Sequence, residues 1–228
     1  MQPLKKQYAV LFDLDGVLIK TEPETFQFYE RHIKEQYGII IPHDALPIKI
    51  GRKSIDFFRR ILTPEQLRII DIEKLIQYKR KMFRENITQF VRKVPGVQSI
   101  LQQLQRKKFL IGVVSQNERQ MVDTAIQWLA IRPYISIALS LADVQQRKPD
   151  PELYLRAAKK LRLAPSSCIA IEDSEDGVAA AKNAGMYCIG ILHSYTPKGA
   201  LALTDRRTRS FGTILPFIER WRDAKKNG

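Results

Sequence analysis

The sequence predicts an α/β fold, a doubly wound parallel sheet with a Rossmann-like core and an inserted helical cap domain, and three observations predict it. Short, unbroken apolar runs recur along the chain and end at polar or acidic residues. Segments with the 3.6-residue apolar period of a surface helix separate them. Between the first and second runs lie about ninety residues, far more than one crossover helix requires.

The first run, Tyr8 to Phe12, is apolar at every position, as expected of a strand covered by helices on both faces. The insertion that follows reads as helical. Phe26, Tyr29, Ile33 and Tyr37 define one amphipathic helix, Ile55, Phe58 and Leu62 a second, and a longer helix after Pro64 carries Leu75, Tyr78 and Met82 on one face. Pro95-Gly96 ends it. Residues 1–19 and 95–228 are therefore assigned to the α/β core and 20–94 to the cap, with hinges near Lys20 and Val94.

Further strands are expected at Phe109 to Val114, Ile135 to Leu139, Cys168 to Ile171 and Tyr187 to Leu192. The helices between them show the i, i+3, i+4, i+7 spacing in Val97-Ile100-Leu101-Leu104, Val122-Ala125-Ile126-Leu129 and Tyr154-Ala157-Ala158-Leu161. Beyond Leu192 the stretch Thr204 to Ser210 is basic and carries no motif. Ile214, Phe217, Ile218 and Trp221 then read as a closing helix packed on the core.

With 228 residues, 44% of them hydrophobic, the chain can bury a sizeable core. Lys plus Arg outnumber Asp plus Glu by 38 to 24, a net charge of +14. That excess is scattered over Arg59-Arg60, Lys79-Arg80-Lys81, Arg106-Lys107-Lys108, Lys159-Lys160, Arg206-Arg207 and Lys225-Lys226, all on or beside helical patterns, so solvated helix faces account for most of it. No specific nucleic-acid partner is expected, because no basic patch interleaved with aromatics is found. A non-catalytic nucleic-acid-binding module is the reading that charge alone would support. No apolar run approaches the roughly 18 residues of a spanning helix, so no membrane partner is expected. Asp13 and Asp15 interrupt the apolar run behind Lys5 and Lys6, which argues against an export signal. Cys168 and Cys188 sit inside strand-like runs and read as reduced, buried thiols of a cytoplasmic protein, monomeric by default.

Four segments carry chemistry. Asp13-Leu14-Asp15-Gly16 puts two carboxylates two residues apart at the carboxyl end of the first strand, the edge where open α/β sheets bind ligands. Ile171-Glu172-Asp173-Ser174 puts two more at the end of another strand. Carboxylates gathered at one point repel unless a cation sits among them, and hard oxygen ligands with room for water and phosphate suit Mg²⁺ better than Zn²⁺. Ser115, Gln116 and Asn117 end the second strand with donors able to hold phosphate oxygens without adding charge. In Lys148-Pro149-Asp150-Pro151, Asp150 can cap a helix whose first turn Pro151 suits, which fixes Lys148 just ahead of it. Its ammonium could then neutralise a carboxylate nucleophile and a transferring phosphoryl group together.

Taken in order, these segments resemble the four motifs of the haloacid dehalogenase superfamily, in the subgroup with a helical cap after the first motif. Supporting matches are Thr21-Glu22-Pro23, Val94-Pro95-Gly96-Val97, Gly177 with Ala179-Ala180-Ala181, and Ala184-Gly185-Met186, so the resemblance runs from Tyr8 to about Leu192. It implies that Asp13 attacks phosphorus to give an aspartyl phosphate and that Asp15 protonates the leaving oxygen and later activates water. It also implies that Mg²⁺ binds the Asp13 carboxylate, the Asp15 backbone carbonyl, Asp173 and Glu172, while Ser115 and Lys148 hold the phosphoryl group. Asp176, beyond Ser174, is expected behind the site or at the surface. The substrate expected is a small phosphorylated metabolite, a sugar phosphate or phosphoglycolate-like ester.

The dehalogenases of this superfamily generally lack the second aspartate of the first motif, so Asp15 favours phosphoryl transfer. A β-phosphoglucomutase-like mutase is the alternative. It is disfavoured because those mutases carry a cap histidine where this chain has Thr25 and a cap arginine where it has Ser54. Lys20, unusual before Thr21-Glu22-Pro23, together with Arg52 and Lys53, is expected to recognise a second anionic group on the substrate.

Overall fold

The computed structural model describes residues 7–22, 24–49 and 54–227. Strand β1 (Ala9–Phe12) is followed by the short β2 (Ile19–Lys20), which pairs antiparallel with β3 (Arg92–Lys93). Strands β4 (Leu110–Val114), β5 (Ile137–Leu139), β6 (Cys168–Glu172), β7 (Tyr187–Ile191) and β8 (Arg206–Thr208) complete the set. Six of these form one sheet in the order β5-β4-β1-β6-β7-β8, with every pair parallel. The chain runs outward from β1 through β4 to β5, then returns to lay β6 on the other side of β1. This reversal opens a crevice above the carboxyl ends of β1, β4 and β6.

All four residues of β1 are buried without exposure, and the alternation of side chains explains why each must be apolar. Val10 and Phe12 pack with Leu101 of α6 (Val97–Arg106), Val122 of α7 (Arg119–Trp128) and Ile218 of α10 (Ile214–Asn227). Ala9 and Leu11 face Tyr154 and Ala157 of α8 (Glu152–Lys160) and Val178 and Ala181 of α9 (Glu175–Asn183). Complete burial of a side chain such as Leu11 or Phe12 contributes about 1.5–3 kcal/mol. The closing helix seats Trp221 edge-on against Tyr8, with ring centroids 5.3 Å apart. Cys168 and Cys188 are buried free thiols on β6 and β7.

Between β2 and β3 lie α1 (Glu24–Tyr37), the four-residue α2 (Leu46–Lys49), α3 (Ser54–Ile61), α4 (Pro64–Ile69) and α5 (Ile72–Glu85). They hold their own apolar cluster, built on Phe26, Tyr29 and Ile33 of α1, Phe57 and Phe58 of α3 and Leu75 of α5. The single long helix expected after Pro64 is two. Ile70 is extended at φ −90° and ψ 115°, and Asp71 restarts the chain as a cap, accepting from the Lys74 amide at 2.9 Å. The first piece has a capping box of its own between Thr63 and Gln66.

Two other elements depart from expectation. Residues Thr204 to Ser210, read as having no motif, contain β8, so Arg206 and Arg207 are on a strand rather than beside a helix. Its short length and charge suit an edge that must not pair further. The two ends of the insertion, not expected to form strands, are joined by the β2–β3 ribbon, which pairs Ile19 with Lys93 and Lys20 with Arg92. Among the described residues no helix is long and apolar enough to cross a membrane.

Candidate active site

Asp13 is the first residue past β1, and its amide donates to the Ile171 carbonyl of β6 at 3.0 Å, which ties the loop to the neighbouring strand. Ser115 is the first residue past β4, and Glu172 is the last of β6. The side chains expected to act together therefore meet because three adjacent parallel strands end at one edge.

Lys148 is the hub. Asp150, expected to cap α8, lies one residue before its N-cap Pro151; its Oδ1 accepts from the Glu152 amide at 2.8 Å, which ties the loop carrying Lys148 to the first residue of the helix. The Lys148 Nζ donates to Asp13 Oδ1 at 2.5 Å, to Glu172 Oε1 at 2.6 Å and to the Val114 carbonyl at 3.4 Å, using the three donors of an ammonium. The Tyr154 hydroxyl donates to the same Glu172 oxygen at 2.5 Å, and the Ser174 hydroxyl donates to Glu172 Oε2 at 3.3 Å. Glu172 is thus fully buried with both oxygens engaged. Gly177 permits this, because a Cβ there would overlap the Glu172 carboxylate. Ser174 also caps α9 by accepting from the Gly177 amide at 3.2 Å.

Burial pushes the Asp13 carboxyl well above its ordinary range; Lys148 opposes the shift, while Glu172, Asp15 and Asp173 add to it. Burial likewise raises Asp173. Burial alone would lower Lys148, but Asp13 and Glu172 outweigh it and raise the ammonium. All three shifts point to a cluster with more negative charge than its one lysine offsets.

Asp15 is half-buried, and its Oδ2 accepts from Asn117 Nδ2 in a short bond. The Asn117 amide in turn donates to Ser115 Oγ at 3.1 Å, leaving the hydroxyl hydrogen of this buried serine free to donate. Gly16 turns the loop at φ +74°, and a Cβ at this position would overlap the Asp173 carboxylate. Gly16→Ala is accordingly expected to displace Asp173 and destabilise the fold by at least about 1–2 kcal/mol, measured by urea unfolding. Asp173 Oδ2 lies 3.3 Å from His193 Nε2, and the His193 ring stacks on Tyr195 at 4.9 Å.

Asp13, Glu172 and Asp173 each offer a carboxylate oxygen within 4.8 Å of the others. The donor set is all oxygen and the cluster carries surplus negative charge, so its chemistry fits a hard divalent cation. Because both Glu172 oxygens are already bonded, Asp13 and Asp173 are the more open of the three.

These groups open onto a cavity of about 780 Å³ whose wall includes Asp13, Asp15, Gln116, Asn117, Lys148 and Asp173. Asp176 lies on this wall, although it was expected behind the site or at the surface. Lys20 is exposed on β2 and is not part of the wall, since strand alternation buries Ile19 and turns its neighbour outward. Arg52 and Lys53 lie outside the described residues. Among the cations that do line the cavity, Lys79 and Arg80 read in the sequence as a solvated helix face, and Lys49 and Arg147 are not singled out there because neither belongs to a motif. Sequence reasoning also missed His193, whose only signal was its place just past the carboxyl end of β7.

Comparison with known proteins agrees with this geometry. Over 205 residues the chain is 29% identical to a "Phosphorylated carbohydrates phosphatase" of Thermotoga maritima, covering 85% of this chain and 89% of that one. It is 30% identical over 219 residues to a "Beta-phosphoglucomutase" of Bacillus subtilis, covering 93% and 95%. Among solved structures, CbbY from Rhodobacter sphaeroides in complex with phosphate has the same fold, with a TM-score of 0.76 at 22% identity over 91% of this chain and 96% of that one. Residues 10–191, which span the sheet from β1 to β7 and every acid at its edge, match the family model, and the chain belongs to the haloacid dehalogenase-like hydrolases.

Proposed function

We propose that the protein is a Mg²⁺-dependent phosphatase that hydrolyses a small phosphate monoester, such as a sugar phosphate or phosphoglycolate-like ester, through an aspartyl phosphate on Asp13. One observation carries this reading: a nearly buried Asp13 carboxylate bonded to a buried lysine, beside a second aspartate held by an amide, on the wall of one cavity. The similarity to a phosphatase of phosphorylated carbohydrates supports it.

Lys148 holds Asp13 Oδ1, which orients the carboxylate so that an oxygen can attack phosphorus. As the Asp13 oxygen–phosphorus bond forms, the ester phosphorus–oxygen bond breaks, and the leaving oxygen takes a proton from Asp15. Asn117 keeps Asp15 turned toward that oxygen. In the second half Asp15 removes a proton from water, whose oxygen attacks phosphorus, and the bond to Asp13 breaks to release inorganic phosphate. Ser115, Gln116 and Asn117 donate hydrogen bonds to phosphoryl oxygens. Asp13, Asp173 and the Asp15 backbone carbonyl would hold Mg²⁺, which would supply positive charge against the transferring group. Glu172 acts through Lys148, which it anchors.

The second reading, a phosphosugar mutase, has the similarity to a β-phosphoglucomutase in its favour. Against it, Thr25 on the cavity wall has no ring nitrogen, and Ser54 carries no charge and bonds the Tyr29 hydroxyl at 3.1 Å. The test is phosphate release from a panel of phosphate monoesters with Mg²⁺ and with chelator. Release that requires Mg²⁺ is the expected result. Absence of release, with conversion of β-glucose 1-phosphate to glucose 6-phosphate, would replace the phosphatase with the mutase.

A further inference from the structure

We propose that Lys79, Arg80 and Arg147 form a subsite for a second anionic group, a carboxylate or phosphate remote from the scissile ester, so that the preferred substrates carry two anionic groups. This rests on the phosphatase reading and narrows its substrate class.

Lys79 and Arg80 come from α5 of the insertion and Arg147 from the core loop that delivers Lys148, yet all three line the cavity that contains Asp13. Arg80 Nη1 lies 2.6 Å from Glu118 Oε1, and Arg147 feels both the repulsion of Arg80 and the attraction of the same Glu118. One carboxylate thus serves two guanidinium groups. Lys79 has no ion-pair partner among the described residues, and its Nζ stands 5.1 Å over the Phe83 ring. Lys49, on the same wall, is different: it is paired with Glu22 at 3.2 Å.

Burial holds the Lys79 ammonium down to about 8, with Lys49 and Arg80 lowering it and Asp15 and Glu22 opposing them. Lys79 and Arg147 each feel the repulsion of Arg80 in a partly desolvated cavity, and a visiting anion offsets that repulsion. The same wall also offers Thr25 Oγ1, which is buried without a hydrogen-bond partner among the described residues and can serve the polar body of such a ligand. Because Arg80 and Glu118 link α5 to the start of α7, an anion seated there would touch both the insertion and the core.

The experiment compares kcat/KM of the Mg²⁺-loaded protein for fructose 1,6-bisphosphate, 3-phosphoglycerate and glucose 6-phosphate. The expected result is a preference for at least one of the first two over glucose 6-phosphate, with the two arms distinguishing phosphate from carboxylate. Lys79→Met and Arg147→Met should each reduce that preference about tenfold, mainly through KM, and Lys79→Arg should keep it. Lys81→Met removes the same charge from the exposed side of α5, where Lys81 faces Glu85 at 3.9 Å, and should leave the preference unchanged. No preference in the unmodified protein, or one untouched by Lys79→Met and Arg147→Met, overturns the subsite while the phosphatase stands. If no ester is hydrolysed the phosphatase reading fails, and calorimetric titration of fructose 1,6-bisphosphate decides the subsite separately. Binding about tenfold weaker in Lys79→Met supports it, and equal or absent binding overturns it.

Discussion

Asp13→Asn is expected to reduce phosphate release by about 10⁴-fold or more, because an amide cannot form the acyl phosphate and no other nucleophile replaces it. The fold should survive. Asparagine keeps the shape of aspartate, Lys148 retains Glu172 at 2.6 Å and the Val114 carbonyl, and the main-chain bond from residue 13 to Ile171 is untouched. Loss of one acid also relieves a cluster in which burial and three neighbouring carboxylates already push Asp13 up. Urea unfolding should therefore show a change of no more than about 1 kcal/mol. Phosphate release at the original rate would remove Asp13 from its proposed role; a large loss of stability would show that its charge is structural.

Lys148→Met should damage both properties. The lysine is 5% exposed and bridges two carboxylates, at 2.5 Å and 2.6 Å. Methionine fills much of the same space but leaves those acids facing each other without compensation. Breaking a buried pair in this way costs about 3–5 kcal/mol, to be read from urea unfolding. The sign of the pH dependence follows. Without the ammonium, Asp13 rises further above its unfolded value, so stability is retained at acid pH and lost as pH rises through the folded-state value. Adding Glu172→Gln to Lys148→Met removes one of the stranded charges and should recover part of the loss. If the double variant is no more stable than the single one, the Glu172 contact is not what Lys148 balances.

Much of the molecule was legible in the sequence because strong signals are local. The apolar runs fell on β1, β4, β5, β6 and β7 within about two residues, and the period-3.6 stripes on α6, α7, α8 and α10. The break at Ile70 and Asp71 was harder to see. The apolar period continues across it, and only the Asp71 cap marks a new start. β8 escaped for the opposite reason, since three exposed or half-buried residues, Arg206, Arg207 and Thr208, carry no alternation, and pairing with β7 alone makes them a strand.

The sequence by itself determined the class of the fold and its family, and it singled out Asp13, Asp15, Ser115, Lys148, Glu172 and Asp173 as candidates, because motif order and strand ends depend on neighbours along the chain. Only the tertiary structure decided how that set divides its work. It gave Glu172 to Lys148, Tyr154 and Ser174, joined Asn117 to Asp15, turned Lys20 away from the cavity, and turned Lys79, Arg80 and Arg147 toward it. The physical reason is that a charge on a helix or a loop reads the same in sequence whether it faces water or a cavity. Its partner, and its desolvation, are set by residues far away in the chain.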